Sequence, residues 1–397
     1  MPPTPESAPG SLERQTELLE SLLGEVLEEQ EGRAFRDRVF WIRDMAARVR
    51  AGDLEAAEPV VAFVRSQSTS ALEPFVRACS MQLQLANVAE ELERLRRRRE
   101  YDSDASVAQP ESLASITGSI GRYPASAVAE ALHRLDVRLV MTAHPTEAMR
   151  RSVFNHQQAV WRAMERLDDP RIGRGQRREL AEELREVLTV WWQTDEVRRV
   201  RPRVEDEVRR NLFFFEAVLF DAVPGALGEI EHALNVRLVQ PVLSYGSWTG
   251  GDMDGHPEVG ADTLAVALAL HRATALRLLS ERVDTMARSF SHSSLRVPLS
   301  EELVASLETD ERELPSADVL RRAHREWEPL RTKLGFVRHR LTNTARPRGR
   351  EPGYADAQQL RRDLELVLAH LGSRHVALGS IRRLLWQIDV FGFHLAG

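Results

Sequence analysis

The sequence predicts a mostly α fold with many helices and a few parallel strands. Apolar residues recur at spacings of three and four through most of the chain, which is the period of an amphipathic helix. Two short apolar stretches, 137–143 and 241–247, instead run directly into loops rich in proline, glycine or aspartate, as strands do where they end at an open rim of a sheet. With 397 residues and 43% hydrophobic composition, the chain has ample material for a core.

Residues 1–10 are rich in proline and small residues and are predicted to form a disordered tail. From there to about residue 100 only helical periods occur, and 101–109 is predicted to be a loop. The pattern at 111–121 is ambiguous and predicts no particular secondary structure. Strands are predicted at 137–143, 241–247 and 391–396. A pair of helices joined by a short polar connection is predicted at 53–72. Single helices are predicted at about 18–27, 40–49, 81–95, 125–135, 147–167, 178–199, 205–222, 262–290, 300–307, 318–341, 356–371 and 379–390.

Two features of these helices have both a structural and a functional interpretation. Arg94 and the run 96–99 form a dense basic helix end. Nucleic-acid contact is one interpretation, but arginines here complement the helix dipole and pair with acidic helices, and ion pairing is the favoured one. The adjacent Trp191 and Trp192 are interpreted as core anchors.

Composition excludes several classes of protein. A net charge of −6 argues against a general nucleic-acid binder. The only lysine is Lys333, so phosphate or carboxylate contacts would fall to arginine. Cys79 is the only cysteine, which excludes an intrachain disulfide and a cysteine metal cluster; a buried, inert thiol is expected. The N-terminus has no basic or apolar start, and no window is judged apolar enough to cross a membrane, so a cytoplasmic protein is predicted.

The stretch around His144 combines a strand end, a histidine and a helix start. The apolar residues 139–143 predict a buried strand that ends at His144. Thr146 can cap the following helix, and the free N–H groups of its first turn favour an anion nearby. Arg150 and Arg151 add positive charge one turn later. The pattern predicts a phosphate or carboxylate ligand beside an imidazole that exchanges protons near neutral pH; alternatively, His144 only satisfies a hydrogen bond at a strand end.

The loop at 250–257 alternates aspartates with other residues and ends in histidine and proline. Asp252, Asp254 and His256 offer three metal-ligand types, and a transition-metal site is one alternative. A calcium loop is excluded, because its glycine belongs at the sixth position and an acidic ligand at the twelfth, whereas here glycine is fourth and Thr263 is twelfth. The favoured interpretation is a tight turn whose aspartates accept hydrogen bonds from backbone or arginine.

Five blocks of the chain resemble, in the same order, the motifs of one enzyme family. Residues 140–147 (Val-Met-Thr-Ala-His-Pro-Thr-Glu) resemble the histidine motif of the phosphoenolpyruvate carboxylases. Residues 188–199 resemble the next block of that family, and residues 246–257 resemble its Gly-Asp-rich loop. Residues 85–90 and 391–396 also fit. Because the blocks span nearly the whole chain, the sequence is identified as a member of this family, matching its N-terminal part.

The resemblance implies a fold and a reaction. The strands would be the first pieces of an eight-stranded α/β barrel of the TIM-barrel type, incomplete here, with a helical layer at 11–135 and the start of the barrel with inserted helices at 136–397. The family carboxylates phosphoenolpyruvate with bicarbonate to give oxaloacetate and phosphate, using magnesium (Mg2+). The resemblance assigns the metal-binding carboxylates and most phosphate-binding arginines to a part that this chain does not match.

By resemblance, His144 is the catalytic histidine and assists the carboxyphosphate stage of the reaction. The substrate-binding candidates that the chain offers are Arg150, Arg151, Arg198 and Arg199.

Asp252 and Asp254 are expected to support the site, and no metal site is assigned. Met253 stands where most family members carry arginine, and His256 stands where many carry asparagine.

Three functional hypotheses follow. The first is an N-terminal part of a phosphoenolpyruvate carboxylase, close to inactive alone, which is either a truncated copy or one piece of an enzyme completed by a complementary C-terminal chain. The second is a non-catalytic helical protein that binds full-length carboxylase subunits or occupies their place in an oligomer. The possible partners are a complementary C-terminal chain or further copies of this chain in a homo-oligomer. The third, a phosphate-ester hydrolase using His144 and Asp252, requires a bound metal. Because three strands of a parallel barrel leave an open edge and an uncovered apolar face, the chain alone is predicted to aggregate or self-associate.

Overall fold

The computed structural model of the protein describes residues 11–104, 108–110, 112–142, 150–196, 202–254, 257–317, 327–346, 351–372 and 379–397. The predicted disordered tail, residues 1–10, lies outside this part of the chain. In chain order the elements are α1 (Ser11–Glu31), α2 (Arg33–Arg50), α3 (Ala57–Ser66), α4 (Thr69–Ser103), α5 (Leu113–Ile120), α6 (Ala125–Arg134), β1 (Val137–Met141), α7 (Arg151–Leu167), α8 (Arg174–Trp192), α9 (Val204–Phe214), α10 (Phe220–Leu234), β2 (Leu243–Ser247), α11 (Ala261–Ser289), α12 (Glu301–Glu313), α13 (Pro329–Ala345), α14 (Ala357–Leu371) and α15 (Ser380–Phe391).

The mostly helical prediction is confirmed, with shifted helix ends. Helix α4 continues to Ser103, so the loop predicted at 101–109 is wrong for its first three residues. The undecided stretch at 111–121 contains α5. Helix α9 passes into α10 through a π-helical turn, Phe215–Leu219. The barrel itself is not visible in the two strands that the described residues form.

The chain divides into two compact units. Unit 1 comprises the described residues of Met1–Pro110 and Pro145–Arg201, and unit 2 those of Glu111–His144 and Pro202–Gly397. The division into a helical layer at 11–135 and the start of a barrel at 136–397, which the resemblance implied, stays a prediction.

Unit 1 has one core, to which α1, α4, α7 and α8 contribute. Most of the periodic apolar residues of the first predicted helix, Leu19, Leu22 and Leu23 among them, are buried there, whereas Leu18 is 37% exposed. Trp191 and Trp192 are buried in the same core, which confirms them as anchors. Burial of such an apolar stripe, rather than helix propensity, supplies most of the stability of helices like these.

The basic end of α4 is ion-paired, as the favoured interpretation predicted. Arg96 contacts the buried Glu93 and donates to Asp168 at 2.7 Å. Arg99 pairs with Glu165 of α7 at 2.7 Å.

Earlier in the same helix, Cys79 is half-buried rather than fully buried, and burial raises the pKa of its thiol. At neutral pH the thiol is therefore protonated and weakly nucleophilic.

Unit 2 is built around an aromatic cluster beneath its sheet. Tyr245 on β2 stacks on Phe391 of α15 with ring centroids 5.5 Å apart, and Phe215 lies 5.4 Å from Tyr245. Phe220 stacks on Phe391 at 5.3 Å. The π-helical turn carries Phe215 into this core, where it is completely buried. The cluster holds one face of β2 against the helices.

The sheet contains β1 and β2, which are parallel and in register from Val137 opposite Leu243 to Met141 opposite Ser247. The prediction that the first strand is buried is wrong: Leu139 is 46% exposed and Val140 is 40% exposed. A continuous apolar run favours burial only when other elements cover the strand, and among the described residues β2 is the one strand that pairs with β1.

The third strand predicted at 391–396 is also wrong. Helix α15 continues to Phe391, and a turn follows in which Gly392 and Leu395 have positive φ angles. Phe393 and Leu395 are buried in the core. The alternating apolar residues thus enter the core from a turn and not from a strand. Only Gly397 bonds to the sheet, through its N–H to the carbonyl of Tyr245 at 2.9 Å.

Helix α11 corrects the prediction that no segment is apolar enough to cross a membrane. It holds an 18-residue window with a mean hydropathy of 1.2, of which 33% is buried. Its buried residues, including Ala275, Leu279 and Val283, belong to the core of unit 2.

Candidate functional site

In unit 2, both strands end at the same rim of the sheet. The N–H of Trp248, directly after β2, donates to the carbonyl of Met141, the last residue of β1, at 2.9 Å. Because the strands are parallel and in register, the chain leaves each of them at the same level. The loop after β2 is the Gly-Asp loop, and the chain after β1 leads to His144. His144 itself, with residues 143–149, lies outside the described residues.

The Gly-Asp loop is fixed at its start by a buried hydrogen bond. The side-chain amide of Asn211 on α9 donates to the hydroxyl of Thr249 at 2.7 Å, and both residues are buried. The sequence interpretation missed Asn211. A polar residue beside Val208 and Leu212 on the apolar face of α9 was the available signal, because buried amides need partners.

Gly250 is required by space and by backbone conformation. Its φ is +81°, a region that L side chains rarely adopt. A Cβ placed there would lie 2.8 Å from side-chain carbons of Val208 on α9 and Ala267 on α11. The backbone of the loop therefore packs directly against two helices, whereas close approach to a neighbouring strand was predicted from its glycines.

The aspartates of the loop form a turn. Asp252 N–H donates to the carbonyl of Trp248 at 2.8 Å, and the carboxylate of Asp252 accepts from the N–H of Asp254 at 3.1 Å. The tight-turn prediction is confirmed for this part of the loop. Met253 is uncharged, and its side chain is about half exposed. His256, the third ligand of the metal alternative, lies outside the described residues.

In unit 1, Arg150 joins the start of α7 to the end of α8. It stands at the N-cap of α7, and its guanidinium donates to the carbonyl of Asp195 at 2.8 Å. Arg151 follows as the first helical residue, with an exposed side chain. The predicted helix start at residue 147 and its cap Thr146 lie outside the described residues, as do Arg198 and Arg199.

A second contact between α7 and α8 involves His156. Its Nε2 lies 3.3 Å from the hydroxyl of Thr194, and its ring stacks on Trp191 with centroids 6.3 Å apart. Burial lowers the pKa of His156, so the ring is neutral at pH 7. Thr194 belongs to the second family-like block. Nothing in the helical period around His156 distinguished it from a core histidine.

Helix α4 holds the same segment from another side. The guanidinium of Arg77 donates to the carbonyl of Trp192 and lies 4.7 Å from the centre of its ring. Burial raises the pKa of Glu196, although its hydrogen bond with Ser80 works in the opposite direction. The end of α8 is therefore held by both α4 and α7.

The described residues contain no group of three histidine, cysteine or acidic side chains placed to hold a metal ion. Lys333, the only lysine, is enclosed in unit 2 and bonds to Ser306, Asp310 and Asp363. The described part of the chain thus offers neither a ready Mg2+ site nor a free lysine for a phosphate group.

Comparison with known proteins identifies the family. The family model of phosphoenolpyruvate carboxylase matches residues 12–397. The chain belongs to the phosphoenolpyruvate carboxylase family. The phosphoenolpyruvate carboxylase of Xanthomonas euvesicatoria pv. vesicatoria is 34% identical over 393 residues, covering 95% of this chain and 43% of the relative. The carboxylases of Roseiflexus castenholzii and Mycobacterium avium are 32% and 34% identical, with 43% and 42% of their lengths covered.

These carboxylases are therefore much longer than the region that matches this chain. The chain spans less than half of the length of the curated relatives that it matches. Of the family-like blocks, unit 2 brings together the end of β1 and the Gly-Asp loop, while unit 1 brings together the start of α7 and the end of α8.

Proposed function

We propose that the chain supplies the His144-bearing part of a phosphoenolpyruvate carboxylase and acts together with the region of such a carboxylase that this chain does not match. The observation that carries this proposal is the bond from Trp248 to Met141, which holds the Gly-Asp loop and the segment leading to His144 at one rim of the sheet. Residues at the carboxyl ends of parallel strands are positioned rigidly while their side chains face a common opening.

The proposed reaction joins bicarbonate to phosphoenolpyruvate. A bicarbonate oxygen forms a bond to phosphorus, and the bond between phosphorus and the enol oxygen breaks, leaving carboxyphosphate and the enolate of pyruvate. Carboxyphosphate then splits into carbon dioxide and phosphate, and the enolate carbon adds to carbon dioxide to give oxaloacetate. We assign His144 to the carboxyphosphate stage, where an imidazole accepts the proton released near neutral pH.

The negative charge of the enolate and phosphoryl groups needs stabilisation that the described residues do not provide. Mg2+, implied by the family, would supply the positive charge that stabilises these groups when it is bound. The resemblance assigns the Mg2+ ligands to the region of the family that this chain does not match, and we place them there. Losing such stabilising groups costs orders of magnitude in rate, and we expect the chain alone to be close to inactive.

A non-catalytic role is the second candidate, and two observations favour it. Met253, where the resemblance expects arginine, brings no charge to the Gly-Asp loop. Arg150 is engaged by the carbonyl of Asp195 and is not free to bind a substrate through that nitrogen. In this role the chain would bind a carboxylase chain, or a second copy of itself, without contributing to catalysis. Both roles are consistent with the predicted cytoplasmic location.

The test is oxaloacetate formation from phosphoenolpyruvate, bicarbonate and Mg2+, followed by coupling to malate dehydrogenase. The chain is assayed alone and after co-expression with the unmatched C-terminal part of the Xanthomonas campestris carboxylase. We expect activity only with both chains, and its loss by at least about a hundredfold in His144→Asn. Activity of residues 1–397 alone would contradict the proposed need for the region that this chain does not match. Inactivity of a stable two-chain complex would favour the non-catalytic role.

A further inference from the structure

We propose that the cavity between helices α12, α13 and α14 of unit 2 is a binding site for a small oxyanion, a molecule with a carboxylate or phosphate group. The cavity has a volume of about 430 Å³, which is within the range of small-molecule sites. Nine of its ten lining residues have polar or charged side chains, so the cavity suits a polar ligand. None of these ten residues belongs to β1, β2 or the Gly-Asp loop, and the inference therefore goes beyond the proposed carboxylation.

The buried side of the cavity is a network of charged side chains. Lys333 is 1% exposed and Asp310 is 3% exposed, and their ion pair measures 2.7 Å. Asp363 accepts a second bond from the ammonium group, also at 2.7 Å. Because these residues lie on three different helices and each has its partner inside the protein, the network is in place before a ligand binds. Such preorganisation reduces the entropy lost on binding.

The carboxylate oxygens of this network are already occupied as acceptors. In Asp310 one oxygen accepts from Lys333 and the other from Arg340, at 2.7 and 2.8 Å. In Asp363 one oxygen accepts from Lys333 and the other from the hydroxyl of Tyr354, at 2.7 and 2.6 Å. Burial and the neighbouring carboxylate of Asp363 raise the pKa of Tyr354, so the hydroxyl keeps the proton that it donates. The cavity therefore offers little to a cation.

Hydrogen-bond donors of the lining, by contrast, are still free. Arg340 uses Nε and Nη2 in its bonds to Asp310 and Glu313, and its Nη1 group has no partner among the described residues. The hydroxyl oxygen of Ser306 accepts from Lys333 at 2.8 Å, which turns the O–H bond away from the ammonium group. That O–H has no acceptor in the described part of the chain.

Two further donors lie on the exposed side of the cavity, which we call its mouth. The side chain of Arg362 is exposed and makes no hydrogen bond or ion pair with any described residue. The side-chain carbonyl of Gln359 accepts the N–H of Ala355 at 3.0 Å, and its amide nitrogen has no partner within the same part of the chain. Free donors beside occupied acceptors favour an anion, and a guanidinium forms paired hydrogen bonds with carboxylate or phosphate oxygens.

Binding of inorganic phosphate and of succinate tests the site. Residues 1–397 are titrated with each anion by isothermal calorimetry at constant ionic strength, with glycerol as the uncharged control. We expect saturable binding of at least one anion and no binding of glycerol. The anion that binds more tightly assigns the ligand to the phosphates or to the carboxylates. Absence of saturable binding by both anions would overturn the proposal.

Two pairs of variants test whether the anion binds in this cavity. Arg362→Gln removes a donor from the mouth, and Arg383→Gln is its control, because Arg383 is also exposed and unpaired among the described residues but does not line the cavity. Ala305→Glu adds a carboxylate at the mouth, and Ala305→Gln adds similar bulk without the charge. We expect Arg362→Gln and Ala305→Glu to weaken anion binding at least about fivefold, and both controls less than about twofold.

The controls separate this site from general attraction of anions to arginine. All four substitutions are at exposed positions, and unchanged near-ultraviolet circular dichroism verifies that the fold is retained. Equal weakening in Arg362→Gln and Arg383→Gln would indicate unspecific attraction and overturn the proposal. Unchanged binding in both Arg362→Gln and Ala305→Glu would place the anion elsewhere and overturn it as well. Because the assay measures binding alone, its result does not depend on whether oxaloacetate is formed.

Discussion

Replacing Lys333 with methionine should destabilise unit 2 by about 3 kcal/mol. The ammonium lies 2.7 Å from Asp310, 2.7 Å from Asp363 and 2.8 Å from the hydroxyl of Ser306, and the residue is only 1% exposed. Three acceptors around one nitrogen match the three N–H bonds of an ammonium group. Because this network joins α12, α13 and α14, its loss should weaken their packing.

The magnitude follows from what remains after the ammonium is removed. Breaking a buried ion pair costs about 3–5 kcal/mol when the other charge is left without compensation. Here Asp310 keeps Arg340 at 2.8 Å, and Asp363 keeps the hydroxyl of Tyr354 at 2.6 Å. Partial compensation places the expected loss at the lower end of that range. Lys333→Arg should also be less stable than the unaltered chain, because a planar guanidinium cannot direct its N–H bonds to three acceptors around one point.

The assay is urea unfolding at pH 7, followed by near-ultraviolet circular dichroism at a concentration where the chain does not self-associate. Arg338→Met is the matched control, because Arg338 lies on the same helix and pairs with Asp284 at 2.7 Å but is about half exposed. Its expected cost is at most about 0.5 kcal/mol. A loss below about 1 kcal/mol in Lys333→Met, or full stability in Lys333→Arg, would refute the reasoning.

Two further predictions concern stability. Gly250→Ala should lower the free energy of unfolding by about 2–4 kcal/mol, because the positive φ and both 2.8 Å contacts must be relieved. At Gly251 the nearest atom to an added Cβ is 3.5 Å away, so Gly251→Ala should cost less than about 1 kcal/mol. Thermal unfolding of both variants measures the two losses, and equal losses would contradict the close approach at Gly250. Burial alone would raise the pKa of Glu351, but hydrogen bonds from Ser316 and contact with His339 lower it to about 2. Because the pKa of Glu351 in the folded chain is below the ordinary 4.5, its ionised carboxylate stabilises the fold above that pH. The loss in free energy of unfolding caused by Glu351→Gln should therefore shrink as the pH falls from 4.5 to about 2. A loss that is independent of pH would contradict this.

Periodicity sufficed for most helices because a helix that buries one face repeats its apolar residues every three or four positions. The faces of α1 and α11 follow this rule. The same reasoning failed at 391–396, where alternating apolar residues matched the period of a strand. Phe393 and Leu395 are buried from a turn instead, and nothing local distinguishes the two solutions because both bury the same side chains.

The sequence located the loop of the candidate site but not what holds it. The glycines and aspartates at 250–254 predicted a tight turn from local backbone chemistry, and the structure has one. Asn211 is almost 40 residues away, and its bond to Thr249 depends on how α9 packs, which no local pattern encodes. The roles of His144, Arg198 and Arg199 stay predictions.

By itself the sequence determined the family, the helical class and the positions of the family-like blocks, because these depend on residue order and local period. Only the tertiary structure decided that β1 is exposed, that Arg150 bonds to Asp195, and that Lys333 is enclosed by two aspartates. Each of these facts joins residues distant in the chain or depends on whether another element covers them. Burial and pairing of this kind are properties of packed elements, and a linear pattern specifies them only through the fold.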